Sequence, residues 1–183
     1  MKTIYLKRGK EESLLRFHPW LFSGAIHHVD DNIEEGEVVK VVAANGSFIA
    51  KGHYQQGSIA VRVLSFDDVD IDDAFWHQRL QQALDARKAI GLVDNPLTTA
   101  YRLVHGEGDM LPGLIIDIYG QTAVMQAHSI GMHLQRHQIA TQLLDVMSGR
   151  ISHIYYKSET TLPFMEPENG FIVGQRGTID GLN

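Results

Sequence analysis

Residues 37–66, EVVKVVAANGSFIAKGHYQQGSIAVRVLSF, decide how the first part of this chain is built. Apolar residues fill three runs of strand length, Glu37–Val42, Ser47–Tyr54 and Ser58–Phe66. The runs are rich in Val and Ile, whose branched side chains suit a pleated surface. Asn45-Gly46 separates the first two, and this dipeptide tolerates the positive φ that a tight hairpin turn requires. Gln56-Gly57 punctuates the next pair. Short strands joined by tight turns must bury a shared apolar face, which predicts a small barrel or sandwich.

Toward the N-terminus, Thr3–Lys7 reads as a further short strand and Glu12–Arg16 as one helical turn. Arg16-Phe17-His18-Pro19-Trp20-Leu21-Phe22-Ser23-Gly24 then mixes basic and aromatic residues in what reads as a loop. Such a mixture can stack on bases and grip phosphates. The same aromatics can instead plug a small barrel. Both uses are compatible if Trp20 is core while Arg16 and His18 face outward.

Toward the C-terminus the pattern changes at Asp67-Asp68-Val69-Asp70. Asp72 is placed to cap a helix, with Asp73 favoured in its first turn by the helix dipole. Phe75, Leu80, Ala83, Leu84 and Ile90 recur at helical spacing, and Gly91 is a stop signal. Asn95-Pro96 marks a loop. Strands are predicted at Tyr101–His105, Leu114–Tyr119, Thr122–Ala127, Ser152–Tyr156 and Gly170–Val173, with one helix over Met132–Met147. The fold class is therefore mixed α/β: a β pseudo-barrel (1–67), a linking helix (68–92) and a small α+β domain (93–183) made of an antiparallel sheet with helices. Gly177–Asn183 closes no element and reads as linker.

Composition narrows the function. The 183 residues contain no cysteine, so disulfides, thiolate metal sites and Cys nucleophiles are excluded from them. No apolar run reaches the roughly 18 residues of a membrane span. The first eight residues turn charged too early for a secretory signal, so a cytoplasmic location is expected. Net charge is −6, against a nucleic-acid partner, but residues 1–66 carry 8 Lys+Arg and 7 Asp+Glu whereas the rest carry 8 and 15. Lys2, Lys7, Arg8, Lys10 and Arg16 cluster near the start, and such a local patch is compatible with phosphate contact.

Gly106-Glu107-Gly108-Asp109-Met110-Leu111-Pro112-Gly113 superficially resembles a phosphate loop. Leu111 occupies the place of the third glycine, and a strand follows where a helix should open. Leu111–Leu114 fits a type II turn better, with Pro112 fixing φ and Gly113 taking it positive. Glu107, Asp109 and Asp117 could form a hydrolytic carboxylate cluster if they converged. His133 and His137 lie four apart on one helical face, but no Glu follows the first and no third ligand is evident, so no metal site is expected.

Two segments together resemble one family. Arg16–Ile26 is similar to the opening of a PUA domain, an RNA-binding pseudo-barrel. Tyr101–Asp117, YRLVHGEGDMLPGLIID, resembles the central-domain signature of the PUA-containing large-subunit ribosomal RNA cytosine-C5 methyltransferases. The resemblance implies a ribosomal RNA partner and S-adenosylmethionine (SAM) as methyl donor for the full-length protein. The family's Rossmann-like SAM domain and Asp-Pro-Pro catalytic loop have no counterpart among these residues, since no two of the five prolines are adjacent. Cytosine C5 transfer needs a thiolate, which this sequence lacks. The 183 residues are therefore expected to recognise RNA, to hold no catalytic residue and to bind no SAM. RNA contact is assigned to Lys7, Arg8, Lys10, Arg16 and His18, with Lys51 and Arg62 after them. Arg102, Glu107, Asp109, Pro112, Gly113 and Asp117 are assigned to scaffold or interface. A homodimer is a further expected partner. The alternatives are a stand-alone RNA-binding adaptor and a small hydrolase.

Overall fold

The computed structural model describes residues 1–162 and 168–175. The expected linker at Gly177–Asn183 lies outside these residues, as do Pro163 and Pro167. Two sheets are present. The first joins β1 (Thr3–Leu6), β2 (Trp20–Phe22), β3 (Ile26–Val29), β4 (Val38–Val42), β5 (Phe48–Tyr54) and β6 (Ile59–Ser65) in the order β2-β6-β5-β4-β1-β3. Its outer strands β2 and β3 do not pair with each other, so it is a pseudo-barrel with two edges. Register shifts interrupt four of its five strand pairs. Each such bulge bends a strand and increases twist, which wraps a short sheet around a core. That core holds Ile4, Leu6, Leu14, Leu21, Val39, Val41, Val61 and Val63, with α1 (Glu12–Leu15) supplying Leu14.

Gly52 shows how tightly the first sheet is drawn. A Cβ there would lie 2.2 Å from the Arg62 carbonyl oxygen across the β5–β6 pair, so only glycine allows this approach. The Asn45-Gly46 turn forms as expected, with Gly46 at φ +84°.

The second sheet runs β11-β10-β9-β8-β7, from β7 (Ala100–His105), β8 (Leu114–Tyr119), β9 (Thr122–Ala127), β10 (His153–Lys157) and β11 (Asn169–Val173). The expectation of an antiparallel sheet needs one correction, because β9 and β10 are parallel. The residues between them form helices, and a helical crossover returns the chain in the same direction where a hairpin would reverse it. The expected single helix Met132–Met147 is two, α3 (Ile130–Leu134) and α4 (Arg136–Met147), which meet at Gln135. Ser129 caps α3 by accepting from the Met132 N–H. Helix α2 (Asp73–Ala89) starts at Asp72, whose side chain accepts from the Phe75 N–H at 3.0 Å, and ends before Gly91 at φ +73°. It packs on α4 and buries Phe75, Trp76, Leu80, Ala83 and Leu84 in the second core.

The loop expected at Arg16–Gly24 is also corrected. Trp20–Phe22 pairs with β6 as an edge strand, and Ile26–Val29 pairs with β1.

Candidate nucleic-acid interface

Two concave surfaces carry some of the residues singled out in the sequence, Lys7 and Arg8 on one and Arg62, Glu107 and Gly113 on the other. The first is an open groove of about 640 Å³ at the β1–β3 edge, lined by Tyr5, Leu6, Lys7, Arg8, His27 and His28 among others. Lys7 and Arg8 are exposed here, and Lys10 is exposed two residues further on. The Lys7 ammonium donates to the Gly24 carbonyl at 2.9 Å, which steadies the segment without neutralising it. Among the described residues Arg16 forms an ion pair with Glu12 alone, at 4.0 Å, with both side chains over three-quarters exposed, so their attraction is weak. Tyr5 and His28 stand with ring centroids 5.6 Å apart beside these cations.

The second surface is a smaller cavity of about 250 Å³ between the two sheets, lined by Trp20, Arg62, Gly106, Glu107, Gly113, Leu114, Ile115 and His128. Here the two sequence signatures meet. The Trp20 indole N–H donates to Glu107 Oε1 at 2.9 Å across 87 residues of chain. Cross-strand pairing sets Arg62 opposite Trp20. Burial pulls the Arg62 guanidinium below its usual pKa, and the charge of Glu107 works against that fall. The His128 pKa is lowered chiefly by burial, with Glu107 opposing and Arg102 adding to the fall. Along β2, His18 lies 5.9 Å from Trp20 and from Phe22, centroid to centroid. Phe17 (69% exposed) and Phe22 (47%) are surface residues, so the barrel plug is Leu14 and Leu21 instead.

Lys51 is not on either surface, which removes it from the expected RNA contacts. It is 4% exposed, its ammonium 2.8 Å from Asp68 Oδ1 and 2.7 Å from the Val69 carbonyl oxygen. The Lys51 contact, then that of Lys40, holds the Asp68 carboxyl below the usual carboxylate range. Burial of a lone ammonium would be costly, and the loop after β6 supplies its counter-charge.

The remaining motif residues form scaffold contacts. Asp109 takes a two-pronged pair from Arg87 near the end of α2 and also accepts from the His105 N–H at 2.6 Å. Asp117 accepts from Arg102 at 2.8 and 3.1 Å. Glu107, Asp109 and Asp117 are thus held by three different partners and do not converge as a hydrolase would need. Pro112 is buried and Gly113 has φ +84°, with Leu114 N–H donating to the Leu111 carbonyl at 3.0 Å, so the type II turn forms. The glycine-rich run leads through a 3₁₀ turn, Gly106–Asp109, into β8. It opens no α-helix, and these residues do not fit a SAM loop. His133 and His137 fall on separate helices, and the buried His133 Nδ1 is 2.8 Å from the Tyr156 hydroxyl. No cluster that could hold a metal ion occurs among the described residues. No helix among them is long and apolar enough to cross a membrane.

Residues 4–66 match the family model of a PUA-like domain. Ribosomal RNA large subunit methyltransferase I of Shigella flexneri is 41% identical over 177 residues, 94% of this chain and 44% of that protein. The Tolumonas auensis protein of the same name is 42% identical over 77% of this chain and 36% of its own length. The chain thus spans less than half of the curated relatives it matches. A solved protein from Streptococcus mutans, classed with the SAM-dependent methyltransferases, superimposes with a TM-score of 0.79 at 21% identity. It covers 97% of this chain and 44% of its own. A second solved structure, of a protein of the methyltransferase class complexed with S-adenosylhomocysteine (SAH), gives 0.78 at 21% identity. At such identity the two share the fold.

Proposed function

Since the chain carries a PUA-like domain and is homologous over 94% of its length to ribosomal RNA large subunit methyltransferase I, we propose that it is the RNA-recognition portion of a SAM-dependent ribosomal RNA methyltransferase. Its ligand is large-subunit ribosomal RNA in the cytoplasm, bound as a monomer or homodimer. The modified atom is C5 of a cytosine. SAM and the catalytic thiolate belong to the part of the relatives' length that these 183 residues do not cover. On this reading the chain alone neither binds SAM nor transfers methyl groups, because it contains no cysteine and its glycine-rich run enters a strand.

The observation that carries the proposal is the pair of exposed cations Lys7 and Arg8 lining a groove with Tyr5, His27 and His28, with Lys10 exposed two residues further on, on a chain of net charge −6. Cations at a phosphate backbone release counterions, so binding should fall steeply with salt. Filter binding of a ribosomal RNA fragment at several salt concentrations tests this. Arg8→Glu with Lys10→Glu should weaken binding and flatten the salt slope by roughly one unit for each phosphate no longer neutralised. Unchanged affinity and slope would reject this face. Isothermal titration with SAM should show no saturable heat.

A further inference from the structure

The cavity between the sheets has a composition that selects its own ligand. Glu107 in its wall repels a phosphate, and Arg62 repels a cation. A neutral group with both donors and acceptors satisfies each. At about 250 Å³ the cavity is smaller than the roughly 300–1,000 Å³ of sites for drug-sized molecules. It suits a single planar ring system. Trp20 supplies an aromatic wall, with its N–H already committed to Glu107, so indole and carboxylate are held in place before any ligand arrives. Gly106 and Gly113 contribute wall without side chains. His18 and Phe22 continue the aromatic surface along β2, an edge strand, to the Trp20 wall. Aromatic series of this kind hold unpaired bases by stacking.

We propose that this cavity receives one unpaired RNA base carrying both an amino group and a carbonyl oxygen, guanine or cytosine. The Glu107 carboxylate accepts from the amino group, Arg62 donates to the carbonyl oxygen, and Trp20 stacks on the ring. Adenine lacks the carbonyl and uracil lacks the amino group, so each forgoes the contact to one of the two charged walls. The inference rests on the RNA-docking reading but uses different residues from the basic groove, and the two can fail separately.

The test titrates the full 183-residue chain with single-stranded pentaribonucleotides UUNUU, where N is G, C, A or U. The readout is quenching of Trp20 fluorescence, since Trp76 is fully buried. The G and C forms should bind about tenfold or more tighter than the A and U forms, the discrimination expected of one good base contact. Glu107→Gln can still accept from the indole, so the fold should hold, as its melting temperature would show. Its amide then turns a donor toward the ligand, and preference should move from G and C to U. Arg62→Met should weaken G and C binding while sparing A. Equal binding of all four pentamers, absence of quenching, or an unchanged order in Glu107→Gln would each overturn the pocket. If the pentamers discriminate as expected but the salt slope of the larger RNA ignores Arg8 and Lys10, the pocket stands and the basic docking face falls.

Discussion

The two halves of the molecule hold similar numbers of basic side chains, but the cations at the start of the first half are deployed unlike those of the second. In the second half, Arg87, Arg102, Arg136 and Arg150 are each paired with a carboxylate, Asp109, Asp117, Glu168 and Asp94 in turn. Those cations are engaged in holding loops and helices to the second sheet. In the first half, Lys40 and Lys51 are likewise paired, with Asp68, but Lys7 and Arg8 line a groove, Lys10 is exposed close by in sequence, and Lys7 is steadied by a backbone carbonyl that leaves its charge intact. Net charge therefore misleads about partners. What matters is which charges are already neutralised, and the acidic excess of the second half partly reflects internal pairing.

The largest expected effect follows from removing the partner of an engaged cation. Asp109→Ala leaves the Arg87 guanidinium, 15% exposed, without its counter-charge. Breaking such a pair from one side costs about 3–5 kcal/mol. A drop in melting temperature on the order of 10 °C should follow. A destabilisation below about 1 kcal/mol in urea titration would show that the pair does not hold α2 to the sheet.

Next is the buried junction between the halves. His53 is buried, neither ring nitrogen has a hydrogen-bond partner among the described residues, the ring is stacked on Trp76, and its pKa is lowered from 6.5 to about 4, chiefly by burial and then by Arg62. The unfolded chain takes up a proton near 6.5 while the folded chain resists until about 4. Stability from this group is complete above pH 6.5 and is lost as pH falls toward 4, reaching about 3 kcal/mol. Unfolding free energies at pH 7 and pH 4 should therefore differ more in the wild type than in His53→Leu, by about that amount. Equal pH dependence in the two would mean the ring is not held neutral.

A smaller effect is expected at the turn that shapes the second half. Gly113→Val forces a branched residue to φ +84° and sets a Cβ 2.8 Å from Ser129 Oγ. The backbone cost alone is about 1–2 kcal/mol. Wild-type stability in this variant would remove the need for glycine.

The smallest stability effect should come from the free cations. Arg8→Glu with Lys10→Glu should change unfolding free energy by less than about 0.5 kcal/mol while RNA affinity falls. If instead stability drops as far as in Asp109→Ala, the contrast between free and engaged cations is wrong.

The sequence revealed those parts whose signals are local. Residues 37–66 showed three strands within one residue of their ends, because alternation, β-branching and Asn45-Gly46 agree. The capped start of α2 and the type II turn were legible for the same reason. Strands β2 and β3 were hidden, being only three and four residues long and bulged. The break at Gln135 carries no Pro or Gly. Lys51 lies in a strand whose five central residues are all buried, so alternation could not show which side chain was covered. The Trp20–Glu107 bond, which brings the two signatures together, joins residues 87 apart and has no local trace.

Strand β6 ties the two halves together. Val61 and Val63 enter the first core, while Leu64 enters the second and its carbonyl accepts from Arg79 of α2. Gly131 of α3 closes on the His53 ring so tightly that a Cβ there would lie 2.2 Å from it. A strand that serves two cores cannot open for one alone. The amides of β6 should exchange with solvent only in the same global event that frees those of α2, and heating should give one transition. Cutting the chain after Phe66 would strip the cover from Leu64, Lys51 and His53 at once, leaving a greasy, charged scar where the intact molecule has an interior.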